Sequence, residues 1–327
     1  MKTRQSIICT WATLALIGVA GHGALAQSLA YPRDHVRFIV PFTAGGGVDL
    51  MARTLGTKLS ESFGKQFVID NRGGASGMIG TQAVAKAARD GYTLLLTGAS
   101  FVTSPVLYKE STYDPFKDFD PISLIAIAPN ALVVHPSLPV RSVMELIALA
   151  KARPGQILYA SGGAGTTPHL AAELFKMMTN TDLVHVPYRG TGPTIVALLS
   201  GEVSVMFMNM LQATPYIKSR RVRSLAVTST QRLPSMPELP TVAETGLRNY
   251  QSAQWYGLLA PAGTPDGILN LLNSHIAKVM HAPEMAQRMT DAGSLAVGGT
   301  REEFASYLKD ETARWTKVIK QSGARVD

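Results

Sequence analysis

Val36-Arg37-Phe38-Ile39-Val40-Pro41-Phe42-Thr43-Ala44-Gly45-Gly46-Gly47-Val48-Asp49 carries a short apolar run, a proline and three consecutive glycines. The run suits a buried strand that ends at Pro41. Beyond the glycines, Met51, Leu55 and Leu59 recur at four-residue spacing, Phe63 follows one turn on, and Gly64 stops the pattern. That is a helical stripe with its stop signal. Strand, glycine loop and helix in this order are the opening half of a βαβ unit.

The rhythm continues outward. Gln66 to Ile69 reads as a second strand, Ile79 to Ala88 as a helix, Asp90-Gly91 as a turn and Tyr92 to Thr97 as a third strand. This βαβαβ run predicts a parallel, doubly wound sheet. It restarts with a strand at Ala131 to His135, a helix capped by Ser142 and running to Lys151, and strands at Ile157 to Ala160 and Leu183 to Val186. Helices are expected at Pro168 to Met178 and Pro193 to Leu199, and strands at Val203 to Met208, Ser224 to Thr228 and Trp255 to Ala260. The tail reads as helices at Gly267 to His281, Pro283 to Ala292 and Arg301 to Gln321. Two α/β units joined by short connections predict a second sheet and a cleft between the units, beyond the carboxyl ends of the strands.

The first residues speak of export. Lys2 and Arg4 precede an apolar stretch from Ile7 to Ala20, and Ala24-Leu25-Ala26 offers a small-x-small cleavage site. A signal peptide over residues 1–26, a mature chain from Gln27 and a periplasmic location are expected. Cys9, the only cysteine, lies in that leader, so the mature chain has none for thiol catalysis, disulfides or thiolate metal sites. Net charge is +8. The basic residues are scattered, and the densest group (Lys218, Arg220, Arg221, Arg223) has no interleaved aromatics, which argues against nucleic acid and leaves attraction of small anions.

Three strand-to-helix junctions could hold a ligand. In Pro41 to Asp49 the glycines let the backbone approach closely and expose N–H groups at a helix start, which favours an anion. The same residues also suit a plain tight turn, with Asp49 at the helix start and paired with Arg53. No Gly-Lys-Ser/Thr follows, so the loop is not a nucleotide P-loop. The second junction, Ser161-Gly162-Gly163-Ala164-Gly165-Thr166-Thr167, fits a carboxylate better than a pyrophosphate, because the third glycine and the ribose-holding acid of a dinucleotide site are missing. In the third, Val186 to Pro193, Tyr188 could donate a hydrogen bond and Arg189 could add positive potential; a half-buried tyrosine on a surface loop fits equally. No Gly-x-Ser-x-Gly elbow occurs, the histidines lack metal-ligand spacing, and the acids form no calcium or magnesium cluster. His169 is expected on a helix behind the second loop.

Several blocks resemble one family. They include Ile39-Val40-Pro41-Phe42-Thr43-Ala44-Gly45-Gly46 with Asp49 and Arg53, Asp70-Asn71-Arg72-Gly73-Gly74-Ala75, and Asp90-Gly91-Tyr92-Thr93-Leu94-Leu95. Tyr159-Ala160-Ser161-Gly162, His185-Val186-Pro187-Tyr188-Arg189-Gly190 and Ala260-Pro261-Ala262-Gly263-Thr264-Pro265 extend the likeness over nearly the whole mature chain. It looks like a Bug receptor, the TctC-like extracytoplasmic component of tripartite tricarboxylate transporters. The resemblance implies an α/β, two-domain type II periplasmic-binding-protein fold that closes like a flytrap, each domain a doubly wound sheet flanked by helices. Domain 1 would comprise residues 27–128 and 252–327, and domain 2 residues 129–251.

It further implies a monomeric, non-enzymatic receptor without a cofactor, capturing a small organic carboxylate for membrane transporter subunits. A sensor for a signalling partner and a secreted hydrolase or lyase are the alternatives. By that resemblance the ligand would be gripped by Phe42, Ala44, Gly45, Gly46, Ser161, Gly165 and Thr166, with Asp49 holding a bridging water or capping the helix. Ser100 and Thr103 belong to a further ligand-facing loop, and Tyr188 and Met208 complete the candidate set. Where many relatives have Met-Phe-Asp-Asn, this chain has Met206-Phe207-Met208-Asn209. If position 208 lines the cleft, the missing acid points away from amino-acid ligands. Arg220 stands where a glycine is usual, which predicts strain at a helix end, and Arg189 replaces a common lysine.

Overall fold

The strand that opens the chain's first βαβ unit is β1 (Val36–Val40), and Gly47–Phe63 follows as α1. Helix α1 ends at Gly64, whose left-handed φ of 66° lets its N–H return to the Ser60 carbonyl. The structure, a computed structural model, describes residues 31–108 and 111–322; the expected leader lies outside the described residues. Next come β2 (Phe67–Asn71), α2 (Met78–Ala85), β3 (Thr93–Thr97) and α3 (Ser100–Leu107). Then follow β4 (Phe119–Val134), α4 (Val143–Ala152), β5 (Ile157–Ser161), α5 (Thr167–Thr179), β6 (Leu183–Pro187) and α6 (Thr191–Ser200). The remainder is β7 (Val205–Asn209), α7 (Met210–Lys218), β8 (Arg223–Val227), β9 (Ala253–Pro261), α8 (Asp266–His281), α9 (Pro283–Asp291), β10 (Leu295–Ala296) and α10 (Arg301–Ser322).

The strands pair in the order β2-β1-β3-β9-β4-β7-β5-β6, with β8 and β10 also bonded to β4. The two trios β2-β1-β3 and β7-β5-β6 are parallel, as the alternating pattern requires. Between them β9 and β4 run antiparallel to their neighbours, so the whole is mixed and the two expected sheets are joined. The 16-residue β4 makes the join. Its first part pairs with β9 as far as Pro129↔Ala253, and its last part pairs with β7 from Asn130↔Asn209 onward. The exchange of partners falls at a proline, which has no N–H to give a ladder. There Thr228 braces the bend: its hydroxyl accepts from the Asn130 N–H at 2.8 Å, and its carbonyl accepts from the Ser252 N–H at 3.0 Å.

Each half has its own core. Ile39, Leu95, Phe101, Trp255, Leu259 and Phe304 pack in the half that contains β1. In the other half Tyr159, Phe175, Phe207 and Tyr250 fill one face, and Met206, Met208, Leu198 and Ile195 fill the opposite one. Ser142 caps α4 as expected, accepting from the Glu145 N–H at 3.2 Å. Arg220 holds φ 56°, the left-handed conformation that a glycine would adopt without strain. Among the described residues no helix is long and apolar enough to cross a membrane.

Candidate ligand-binding site

Five helices begin around one small cavity. Gly46, Ala99, Thr166, Gly190 and Asn209 are the residues that precede α1, α3, α5, α6 and α7, and all five line it. Each of these helices follows a strand of the same number (β1, β3, β5, β6, β7), so the cavity lies at the carboxyl ends of the parallel trios. A helix start leaves N–H groups without intrahelical partners and carries the positive end of the helix dipole. Among the described residues no charged side chain lines the cavity. An anion placed here would be held by backbone N–H groups and by the hydroxyls of Ser100 and Thr191, while the Thr166 hydroxyl donates to the Gly163 carbonyl at 2.7 Å.

The first glycine loop is braced from behind. Asp49, 2% exposed, accepts from the Gly45 N–H at 2.9 Å and from Arg53 Nε at 3.0 Å through the same oxygen. Burial pushes this carboxyl up, but the Arg53, Gly45 and Asn71 bonds outweigh it and hold Asp49 below the usual carboxylate range. Asn71 Nδ2 donates to the Phe42 carbonyl at 3.0 Å and fixes the other end of the loop. Gly47 has a steric reason to be glycine, because a Cβ there would lie 2.6 Å from the Tyr256 hydroxyl. That hydroxyl donates to Asn209 Oδ1 at 2.8 Å and so ties β9 to the start of α7.

Neutral groups brace the second loop. The buried Ser161 hydroxyl meets His185 Nε2 at 2.7 Å and accepts from the Gly163 N–H at 3.2 Å. His169 Nδ1 accepts from the Gly165 N–H at 3.1 Å, and its ring lies 4.4 Å from that of His185. Burial lowers His169 to about 4 and His185 to about 3, so both stay uncharged at neutral pH. Tyr159 stacks on His185 and donates to Glu173, which Lys176 also contacts at 2.9 Å.

Bonds cross the cavity between the two halves. Thr103 Oγ1 donates to the Gly165 carbonyl at 2.6 Å, Gln212 Nε2 to the Gly45 carbonyl at 3.1 Å, and Thr43 Oγ1 to the Arg189 carbonyl at 3.3 Å.

Of the residues singled out in the sequence, Phe42, Gly46, Ser100 and Thr166 line this cavity. Phe42 and Tyr188 line an adjoining one, where burial and Glu202, which accepts from the phenol at 2.6 Å, push Tyr188 up to about 12. Ala44 is exposed, and Gly45, Asp49, Thr103, Ser161 and Gly165 serve the loops through the bonds just given. Met208 is wholly buried in the apolar cluster opposite Ala131, and its neighbour Asn209 faces the cavity instead. Thr191, Asn209, Gln254 and Tyr256 are cavity residues that the sequence reading did not select. Asn209 carried one usable signal: asparagine at the end of a strand is a preferred residue before a helix.

Residues 51–324 match the sequence profile of the family described as "Tripartite tricarboxylate transporter family receptor". The chain is similar to Protein BugT of Bordetella pertussis, with 37% identity over 96% of this chain and 98% of the relative. A solved structure of Rpa4515 from R. palustris with adipate superimposes with a TM-score of 0.89 at 38% identity, covering 91% of this chain and all of the other. MatC from Rhodopseudomonas palustris with bound malate gives a TM-score of 0.84 at 29% identity over 88% of this chain and all of the other.

Proposed function

The chain belongs to the tripartite tricarboxylate transporter receptor family, and on that premise we propose that it is a periplasmic receptor for a small organic carboxylate. It captures the acid where the five helix starts meet and delivers it unchanged to the membrane subunits of a transporter. The observation that carries this reading is the convergence of those starts on a cavity without a charged side chain. Dipoles and N–H groups can balance a carboxylate there, whereas a ligand ammonium group would find no acid to pair with. The similar proteins solved with adipate and malate support the same ligand class.

Binding is coupled to closure in this proposal. Residues 27–128 with 252–327 form one body and residues 129–251 the other, flexing where β4 exchanges partners at Pro129 and Asn130. The acid stabilises the closed arrangement by touching N–H groups of both bodies at once, and only this differential contact shifts the equilibrium. Beside the cavity, Ser161 and His185 form a serine–imidazole contact of 2.7 Å. An imidazole titrating at about 3 is too weak a base to take a serine proton at neutral pH, which favours capture over turnover.

Thermal unfolding of the mature protein, refolded to strip bound ligand, against a panel of carboxylates tests the reading. An acid at a hundred times its dissociation constant stabilises by about 2.7 kcal/mol. Stabilisation by an acid recovered chemically unchanged is expected; a panel that is converted, or that shifts nothing, counts against it.

A further inference from the structure

Helix α10 serves both halves of the molecule. Its 22 residues span about 33 Å at the rise of an α-helix. One buried stripe runs along it, through Phe304, Leu308, Glu311, Trp315 and Ile319, at spacings of three and four. The two ends of that stripe belong to different cores. Phe304 and Leu308 pack with Leu95, Trp255 and Leu259 in the half that contains β1. Trp315 and Ile319, 1% and 5% exposed, pack on Leu170 of α5, and Val318 beside them reaches the core around Phe175.

Between its ends the helix is tied to the crossing point of the chain. The Arg314 guanidinium donates to the Gln251 carbonyl, one residue before Ser252, whose N–H is held by Thr228 where β4 exchanges partners. Glu311 accepts from Trp315 Nε1 at 2.8 Å, so the polar atom of the indole is satisfied within α10 itself. The contact of Trp315 with Leu170 is apolar, and it can part and re-form without stranding that N–H. Its seat lies directly behind the ligand cavity. Leu170 stands one turn into α5 and donates its N–H to the carbonyl of Thr166, which lines the cavity. Leu107, which packs on the same cluster, is the side chain that a Cβ on Gly165 would meet at 2.6 Å.

We propose that the far end of α10 is a latch of the closed receptor: Trp315 and Ile319 sit on Leu170 when the two bodies close and leave it when they part. This rests on the two-body motion proposed above, in which α10 belongs to one body and α5 to the other, and it holds whichever acid is bound. The three bonds across the cavity mark the present arrangement as the closed one. Burying an indole and an isoleucine adds stability to that arrangement at a place the acid does not reach. Ligand affinity is therefore set in part from the C-terminal helix.

The test needs no ligand. Beyond the expected leader, Trp255 and Trp315 are the only tryptophans and there is no cysteine. A Cβ on Gly46 would lie 3.9 Å from Thr191 Cβ, the spacing of a disulfide, and Gly46 has φ −77°, open to any residue. Gly46→Cys with Thr191→Cys thus gives a bond across the cleft that oxidation closes and dithiothreitol opens. Acrylamide quenching of Trp315, read in a Trp255→Phe background, should be at least about threefold stronger in the reduced form than in the oxidised one. Trp255, read in a Trp315→Phe background, should be quenched alike in both. Ile319→Ala should slow oxidation of the pair about threefold or more, because the closed arrangement is less populated. Trp315 protected in both forms overturns the proposal, as does Trp315 quenched equally in both, the mark of a fraying helix end, or an unchanged oxidation rate in Ile319→Ala. A pair that does not oxidise overturns it too, since the bodies then do not take up the closed arrangement. The receptor reading is judged separately by the thermal panel of acids, so either can fail alone.

Discussion

The loops after β1 and β5 face the same cavity from opposite halves of the sheet, and both begin helices after a run of glycine. They are held in different ways. The first, Phe42 to Gly46, hangs on an ionised pair with an exposed partner: the Asp49 carboxylate is buried, and the Arg53 side chain is 54% exposed. The second, Ser161 to Thr166, is held by a serine, two adjacent neutral imidazoles and a threonine from α3, nearly all out of water. Similar backbone shapes can thus be fixed by charge at a surface or by uncharged groups in a core. The two solutions differ in what disturbs them.

Space gives the sharpest contrast. Gly165 and Gly45 both have left-handed φ, 78° and 82°, but a Cβ on Gly165 would lie 2.6 Å from Leu107 Cδ1, whereas Gly45 has nothing within 4 Å. Gly165→Ala therefore combines backbone strain with a contact that the Leu107 side chain must shift to relieve, and should cost about 2–3 kcal/mol in urea unfolding. A cost under about 1 kcal/mol would show that the second loop is not packed as described.

Acid separates the loops next. The unfolded chain binds protons at His169 from about pH 6.5 downward, while the folded chain resists until about 4. Stability should therefore fall as pH drops across that window, by about 2–3 kcal/mol for this nearly buried group, and His169→Asn, which keeps an acceptor for Gly165, should reduce the fall, His185 supplying the remainder. The Asp49 brace works in the other range. Its folded pKa is depressed, so its contribution is intact above the unfolded value of 3.8 and is lost only below it. A His169→Asn variant with an unchanged pH profile between 6.5 and 4 would break this distinction.

Smaller effects belong to the first loop. Asp49→Ala should cost about 1–2 kcal/mol and weaken ligand binding, because Gly45 is open enough for water to replace the lost acceptor. Gly45→Ala should cost only about 1 kcal/mol, from backbone strain alone. Both can be read from chemical unfolding, and values above those for Gly165 would reverse the comparison.

The parallel trios were legible because β1, α1 and their counterparts in the second half carry uninterrupted periodic patterns between glycine stops. The joining strands were less so. Phe119 to Asn130 is largely apolar and buried, a run in which period cannot identify a strand. Helices α3 and α7 hide behind Pro105 and Pro215, which interrupt a helical pattern that tertiary packing sustains. That concealed the junction after β7, and with it Asn209. Pairing of Asp49 with Arg53 was foreseeable from their spacing, whereas Gln254 and Tyr256 reach the cavity only through the antiparallel placement of β9, which no local pattern announces.

The claim that matters most is that the converging helix starts bind a carboxylate. Calorimetric titration of ligand-stripped protein with each acid and with its neutral amide addresses it directly. The account predicts one-to-one binding of an acid, recovery of that acid unchanged, and an amide about a hundredfold weaker, since a charged acceptor gains most from N–H groups in a water-poor cavity. Equal affinity for acid and amide would contradict it.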